Sequence, residues 1–213
     1  METEMRTLMR RNSDWMFRWL ALVAGALILA GCASTTLQSV WRDPAYAGGP
    51  FKRVFVVGLS AKDGTARRVL EDVMVAKLKA GGVDAVPGWQ YLADGPPMDE
   101  AGFSAAVAKS GADAMLMMRL LGVETQTTVW PPMGPRIGWY GMYSGWYAYP
   151  DVTTSQTAIV ETTLFDARSR RVVWSGTSET FNPTSVQKDA PTFADVILGA
   201  LRKDGLLPAV AAK

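Results

Sequence analysis

The side chains that could carry chemistry are few and mostly of one kind. The 213 residues contain no histidine and a single cysteine, Cys32. Without imidazole the chain lacks both the commonest general base and the commonest metal ligand. Carboxylates remain. Asp84, Asp94, Asp99, Glu100 and Asp113 fall at helix starts and loop ends, where acids cap or solvate. Glu161 and Glu179 fall on or near two later strands, within reach of Arg168, Arg170 or Arg171. No two of them have a spacing that demands acid–base work. Ser144-Gly145 and Ser175-Gly176 lack the Gly-x-Ser-x-Gly elbow of a hydrolase nucleophile. Gly58 to Thr65 follows a strand and opens a helix, a place where phosphates are cradled. However, five residues rather than four separate its two glycines, and Thr65 stands where a lysine belongs. It reads as a plain strand-to-helix turn. An enzyme is not expected, and neither is a cofactor or a bound metal.

The lone thiol sits in a more telling place. Trp19 to Ala30 is a run of twelve apolar or small residues, preceded by Arg6, Arg10, Arg11 and Arg18. A membrane span needs about 20 such residues, whereas a signal-peptide core needs fewer. Leu29-Ala30-Gly31-Cys32 at its end resembles the bacterial lipobox. That resemblance implies lipidation of Cys32, with palmitate among its acyl chains, and cleavage before it. Residues 1–31 are then a signal peptide and 32–50 a lipidated tether. Removing 1–31 leaves 18 basic against 17 acidic residues. So balanced a chain is not expected to bind nucleic acid by bulk electrostatics, which wants a basic face and a high pI. With one cysteine, no intramolecular disulfide forms, and the remaining domain must be stable through an ordinary core.

The most unusual segment after Cys32 is 130–150. It holds Trp130, Trp139, Tyr140, Tyr143, Trp146, Tyr147 and Tyr149, seven of 21 aromatics, with Gly134, Gly138, Gly141, Gly145 and four prolines between them. No helical or strand period survives such punctuation, so the segment reads as a loop insert between two strands. Loops of that length inside domains are functional or disordered. Tyr and Trp offer large contact area for few rotatable bonds, and they favour both protein interfaces and membrane headgroup layers. Three readings stand: a contact surface for a protein, membrane or glycan partner; a cap over an exposed sheet face; or disorder. The contact reading is adopted.

The elements that would carry this loop follow from periodicity. Lys52 to Leu59 is apolar and β-branched on both sides, as in a buried parallel strand. Gly64 and Thr65 lead into a helix to about Ala80, with Ala66, Val69, Leu70, Val73 and Met74 on one face, ended by Gly81-Gly82. Val83 to Val86 is a short strand. Asp99 caps a helix to Lys109, with Phe103, Ala106 and Val107 inward. Asp113 to Leu121 is a strand that runs on to Val129 with one face meeting solvent. Thr153 to Asp166 and Arg171 to Thr177 form a hairpin, and Asp189 with Pro191 opens a last helix. Leu37 to Trp41 can form an edge strand, and Leu206 to Lys213 reads as a frayed tail. The order is βαβαβ, then a hairpin, then a helix. It makes an α/β fold with a mixed sheet of about five strands in one domain over 51–208.

The segments Ser39-Val40-Trp41-Arg42-Asp43-Pro44 and Val173-Trp174-Ser175-Gly176, together with the lipobox, resemble those of a family of Gram-negative outer-membrane lipoproteins. In element order the chain is also similar to small α/β envelope domains that activate penicillin-binding proteins or build the curli secretion channel. It has no clear pair of amphipathic membrane-spanning hairpins, as the channel group would require. Ala33 follows Cys32, and the resemblance then implies the outer membrane, with the domain facing the periplasm. Its expected partners are the membrane, through lipid on Cys32, and an envelope protein or peptidoglycan. Its expected role is a non-catalytic binding or assembly module. The alternative is a small-ligand or glycan site at the carboxyl ends of the parallel strands, near Ser60 to Thr65.

Overall fold

Four consecutive apolar residues, Val54 to Val57, have no polar side to offer water. In the computed structural model, which describes residues 34–59, 64–93, 99–130 and 151–210, they form the middle of β2 (Arg53–Leu59) and none is more than 2 % exposed. A strand buried on both faces wants parallel neighbours and helices above and below. β3 (Asp84–Pro87) and β4 (Ala114–Trp130) pair parallel to it on its two sides.

Helix α1 (Gly64–Ala80) joins β2 to β3. After a 3-10 turn at Gly88–Gln90, helix α2 (Glu100–Ser110) leads on to β4. Because β3 and β4 flank β2, two right-handed crossovers run in opposite directions and set the helices on opposite faces. The strands agree: Leu116 and Met118 pack in the core with Met74 and Leu78 of α1, while Met115 and Met117 line a cavity with Phe103 and Val107 of α2. The ends of α2 are as expected. Asp99 accepts from the Gly102 amide at 2.8 Å, and Gly111 takes φ +68°.

From β4 the sheet continues antiparallel through β5 (Asp151–Asp166) and β6 (Val172–Phe181) to β1 (Thr35–Arg42), in the order β1-β6-β5-β4-β2-β3. The α/β fold with a mixed sheet is therefore as read, with β1 as a sixth strand. Helix α3 (Val186–Lys203) packs beside α1. Trp174, Phe193, Ile197, Leu198 and Leu201 fill the space between it and the sheet, each at 5 % exposure or less. Burying a side chain of this size stabilises by about 1.5–3 kcal/mol. The indole N–H of Trp174 is satisfied by Asp204 Oδ2 at 2.8 Å.

Several boundaries differ from the sequence reading. The edge strand expected at Leu37 to Trp41 is β1, which runs longer, from Thr35 to Arg42, within the segment assigned to the tether; it covers the outer edge of β6, which would otherwise present unpaired backbone, and Tyr46 stacks on Phe51 at 5.6 Å. The buried stripe of α1 is Glu71, Met74, Val75 and Leu78, turned from the face expected, so that Ala66, Val69, Leu70 and Val73 are only half-buried. Helix α3 begins before Asp189, and Pro191 lies inside it. The Asp189 carboxylate reaches back to accept from the amides of Thr184 and Ser185, at 2.7 and 3.0 Å, which fixes the helix entry ahead of the proline. The tail is not frayed over its first residues. Gly205 at φ +72° turns the chain so that Leu206 and Leu207 are buried, and the Leu206 carbonyl accepts from the Phe51 amide at 3.0 Å. Residues 211–213 lie outside the described residues.

Candidate functional site

The strands end at different heights, and that difference makes the site. At the level where β2 stops, Leu59, Arg119, Glu161, Thr177 and Ser39 stand in one row across the sheet. Beyond it β1, β6, β5 and β4 continue through a second row, Thr35, Thr180, Ala158 and Val123. From Thr157, opposite Phe181, only β4 and β5 run on, as a two-stranded arm ending at Trp130 opposite Asp151. At about 3.3 Å per residue the strand pair passes the end of β2 by roughly 30 Å. Its flanks carry Thr125, Thr127, Thr128, Thr153, Thr154 and Thr157, residues that suit a solvated strand.

A bulge between Leu120 and Gly122 sets the chemistry of one face. Strict alternation would place Leu120 and Val123 on opposite sides. The extra residue returns both to the side of α1 and α3. There they join Met118, Ala158 and Val160 as the floor of a cleft of about 320 Å³. One wall is the end of β2 and the first turns of α1 (Gly58, Leu59, Ala66, Leu70). The other is the entry to α3 (Pro183, Val186, Ala190, Phe193). Polar groups are confined to a few positions: Arg67, Thr180, Thr184, Ser185 and Asp189. Pockets of this size and character are where small molecules bind. The cleft stands at the carboxyl end of β2, where the alternative reading of the sequence expected a concave site; residues 60–63 themselves lie outside the described residues.

One wall is fixed by a residue the sequence reading passed over. Glu71 is fully buried, and its carboxylate accepts from the Gly58 amide at 2.9 Å, the Trp89 amide at 2.8 Å and Arg67 Nε at 2.9 Å. It thus ties the end of β2, the first turns of α1 and the 3-10 turn to one another. A signal existed: Glu71 falls among Leu70, Val73 and Met74, a charge on an otherwise apolar face. The same end of the sheet collects exposed apolar side chains. Leu59, Leu120, Leu121, Val123, Val129, Val152 and Phe181 belong to it, with Trp89 beside them just past β3, against Val40, Trp41 and Val210 elsewhere among the described residues.

The carboxylates weighed from the sequence are dispersed, not convergent. Asp84 pairs with Arg53, Asp99 caps α2, and Glu100 meets Arg170 at 3.7 Å. Asp113 accepts from the amides of Lys52 and Arg53, each at 2.9 Å. Glu161 pairs across the strands with Arg119 at 2.7 Å, not with the arginines of the β5–β6 turn, because Arg119 is its direct neighbour in register. Glu179 accepts from Gln38 at 3.0 Å. At that turn, burial alone would raise the Asp166 carboxyl. Hydrogen bonds from Ser169 and Arg168 and the charge of Arg168 together hold it below its ordinary value. A second cavity lies under α2, bordered by Phe103, Met117, Phe165, Asp166 and Arg168. Asp94, Ser144, Cys32 and Trp139 to Tyr149 lie outside the described residues; Trp130 ends β4. Among the described residues no group of acids could hold a metal ion, and no helix is long and apolar enough to cross a membrane.

No family model matches the chain, and no curated protein matches it. Solved structures do. The PelC dodecamer from Paraburkholderia phytofirmans is similar at 18% identity and a TM-score of 0.43, over 76% of this chain and 94% of that one. Lipoprotein GNA1162 from Neisseria meningitidis is similar at 15% identity and 0.39, over 72% and 96%. A minor lipoprotein from Acinetobacter baumannii is similar at 12% identity and 0.28, over 74% and 98%. At these identities and scores the likeness carries no function across.

Proposed function

We propose that the chain is a lipid-anchored, non-catalytic contact module of the Gram-negative envelope, held in the outer membrane through Cys32 and facing the periplasm. One observation supports this reading best. The Ser34 carbonyl accepts from the Phe181 amide at 3.1 Å, so the folded domain begins at the end of the sheet from which the β4–β5 arm projects. An anchor just ahead of Ser34 would hold that end, with its exposed apolar side chains, toward a bilayer. The aromatic segment 131–150 is borne on the same arm, which suits the contact role adopted for Trp130, Trp139, Tyr140, Tyr143, Trp146, Tyr147 and Tyr149.

Two changes test the parts separately. Cys32→Ser should abolish metabolic labelling with an alkyne fatty acid and release the protein from the membrane fraction; persistent labelling would overturn the anchor. Deleting Gly134 to Gly145 should leave urea unfolding unchanged and remove the partners recovered by crosslinking, and unchanged recovery would sink the contact assignment. A second reading is favoured by the cleft beside β2: the domain binds a small apolar ligand there, with Leu120, Val123 and Phe193 as its surface.

A further inference from the structure

The cleft between the entries of α1 and α3 can be assigned a ligand class. We infer that it takes a single aliphatic acyl chain of a lipid; this rests on the reading of the cleft as a ligand site. Its floor and walls present Leu70, Met118, Leu120, Val123, Val160 and Phe193, with no ring of donors that would orient a sugar or a nucleotide. The charged groups at its border are already engaged. Arg67 is bound to Glu71 at 2.9 Å, and Asp189 accepts from the amides of Thr184 and Ser185. What remains is a slot suited to methylenes. At about 30 Å³ for a group the size of water, the 320 Å³ admits roughly ten of them.

The cleft also opens in the right direction. Leu120 and Val123, each about half exposed, extend the apolar floor to the root of the arm, where the same face turns polar at Thr125 and Gln156, then Thr127 and Thr154. A chain can therefore enter from that side while its headgroup stays in water. Thr35, whose hydroxyl lies 3.0 Å from that of Thr180 at the cleft, marks the start of β1 on this same border. One residue, Ala33, separates Ser34 from Cys32, and the two steps along the chain reach about 7 Å at most. Acyl chains, from membrane lipid or from Cys32 itself, are thus the apolar groups expected in greatest concentration at this mouth.

The test titrates the purified full-length chain with dansyl-undecanoate, an eleven-carbon fluorescent fatty acid, and reads emission. Wild type, or the Cys32→Ser chain if an attached lipid already fills the slot, should bind one probe saturably. Binding by both points to exogenous lipid, and binding only after Cys32→Ser points to the protein's own acyl chain; either supports the assignment. Ala158→Phe, which fills the floor, and Leu120→Asp, which places a charge on a half-exposed position, should each weaken binding at least tenfold. Val40→Asp, on β1, should leave it unchanged and controls for added charge. No saturable binding by either chain, or equal binding by both cleft variants, overturns the acyl assignment. Thermal shifts with soluble peptidoglycan fragments then separate the two claims. A shift that Ala158→Phe removes keeps the cleft as a ligand site with another ligand. No shift removes the ligand reading as well.

Discussion

The sharpest consequence of this architecture concerns Glu71, the buried acid that holds the cleft wall. Its carboxylate is inaccessible and accepts three hydrogen bonds of 2.8–2.9 Å, two from backbone amides and one from Arg67. In Glu71→Ala the Gly58 and Trp89 amides lose their acceptor, and Arg67, itself largely buried, loses its ion pair with Glu71. Removing one member of a buried pair costs about 3–5 kcal/mol. Glu71→Gln is milder. An amide oxygen placed at Oε1 still serves Gly58 and Arg67, but the amide nitrogen then faces the Trp89 N–H. One unmade buried bond costs about 1–3 kcal/mol. Urea unfolding should therefore rank wild type above Gln and Gln above Ala, with the denaturant slope unchanged. At about 2–4 °C per kcal/mol for a domain of this size, the alanine variant should melt roughly 10 °C lower. A cost for Glu71→Ala below about 1 kcal/mol would refute the claim that this carboxylate clamps β2, α1 and the 3-10 turn together.

Other expectations follow from single contacts. A Cβ at Gly176 would stand 2.5 Å from the buried Trp174 ring and 3.2 Å from Leu37, so Gly176→Ala should cost about 1–3 kcal/mol by urea titration. Asp204→Ala leaves the buried Trp174 indole N–H without its acceptor and should lower stability by about 1–3 kcal/mol, with a change in tryptophan emission. The Asp166 carboxyl is held below its ordinary value in the fold. It therefore contributes stability above its unfolded pKa of about 3.9, and loses it as pH falls through the lower folded value. Between pH 5 and pH 3 the wild type should lose more stability than Asp166→Asn; equal losses would contradict this.

The legible part of the fold was the part written in periods. Val54 to Val57 announced a doubly buried strand, and Gly81-Gly82 announced a helix end. The alternation from Val123 to Val129 announced a strand leaving the core. The site was harder to see because it depends on unequal strand lengths and on one inserted residue. Gly122 inside a strand is a signal for a bulge, but it does not say that Leu120 and Val123 will be returned to one face. Glu71 escaped because a charge within a helical stripe is more often placed at its edge than at its centre. The burial of Leu206 and Leu207 escaped because it relies on a partner, Phe51, more than 150 positions away. The dispersion of the carboxylates, by contrast, follows from their places: Asp99 and Asp113 stand at element ends and find backbone amides, and Glu161 in mid-strand finds Arg119 opposite it in register.

The central claim is that the end of the sheet bearing the arm is the working end of the molecule. Photoreactive residues placed singly at Val123, Val129 and Phe181, and for comparison at Val40 and Val210, test it in living cells. All five positions are about half exposed, so accessibility is matched. The account predicts covalent adducts, with lipid or protein, from the first three positions and none above background from the other two. Adducts from Val210 as abundant as those from Val129, or none from any of the first three, would contradict it.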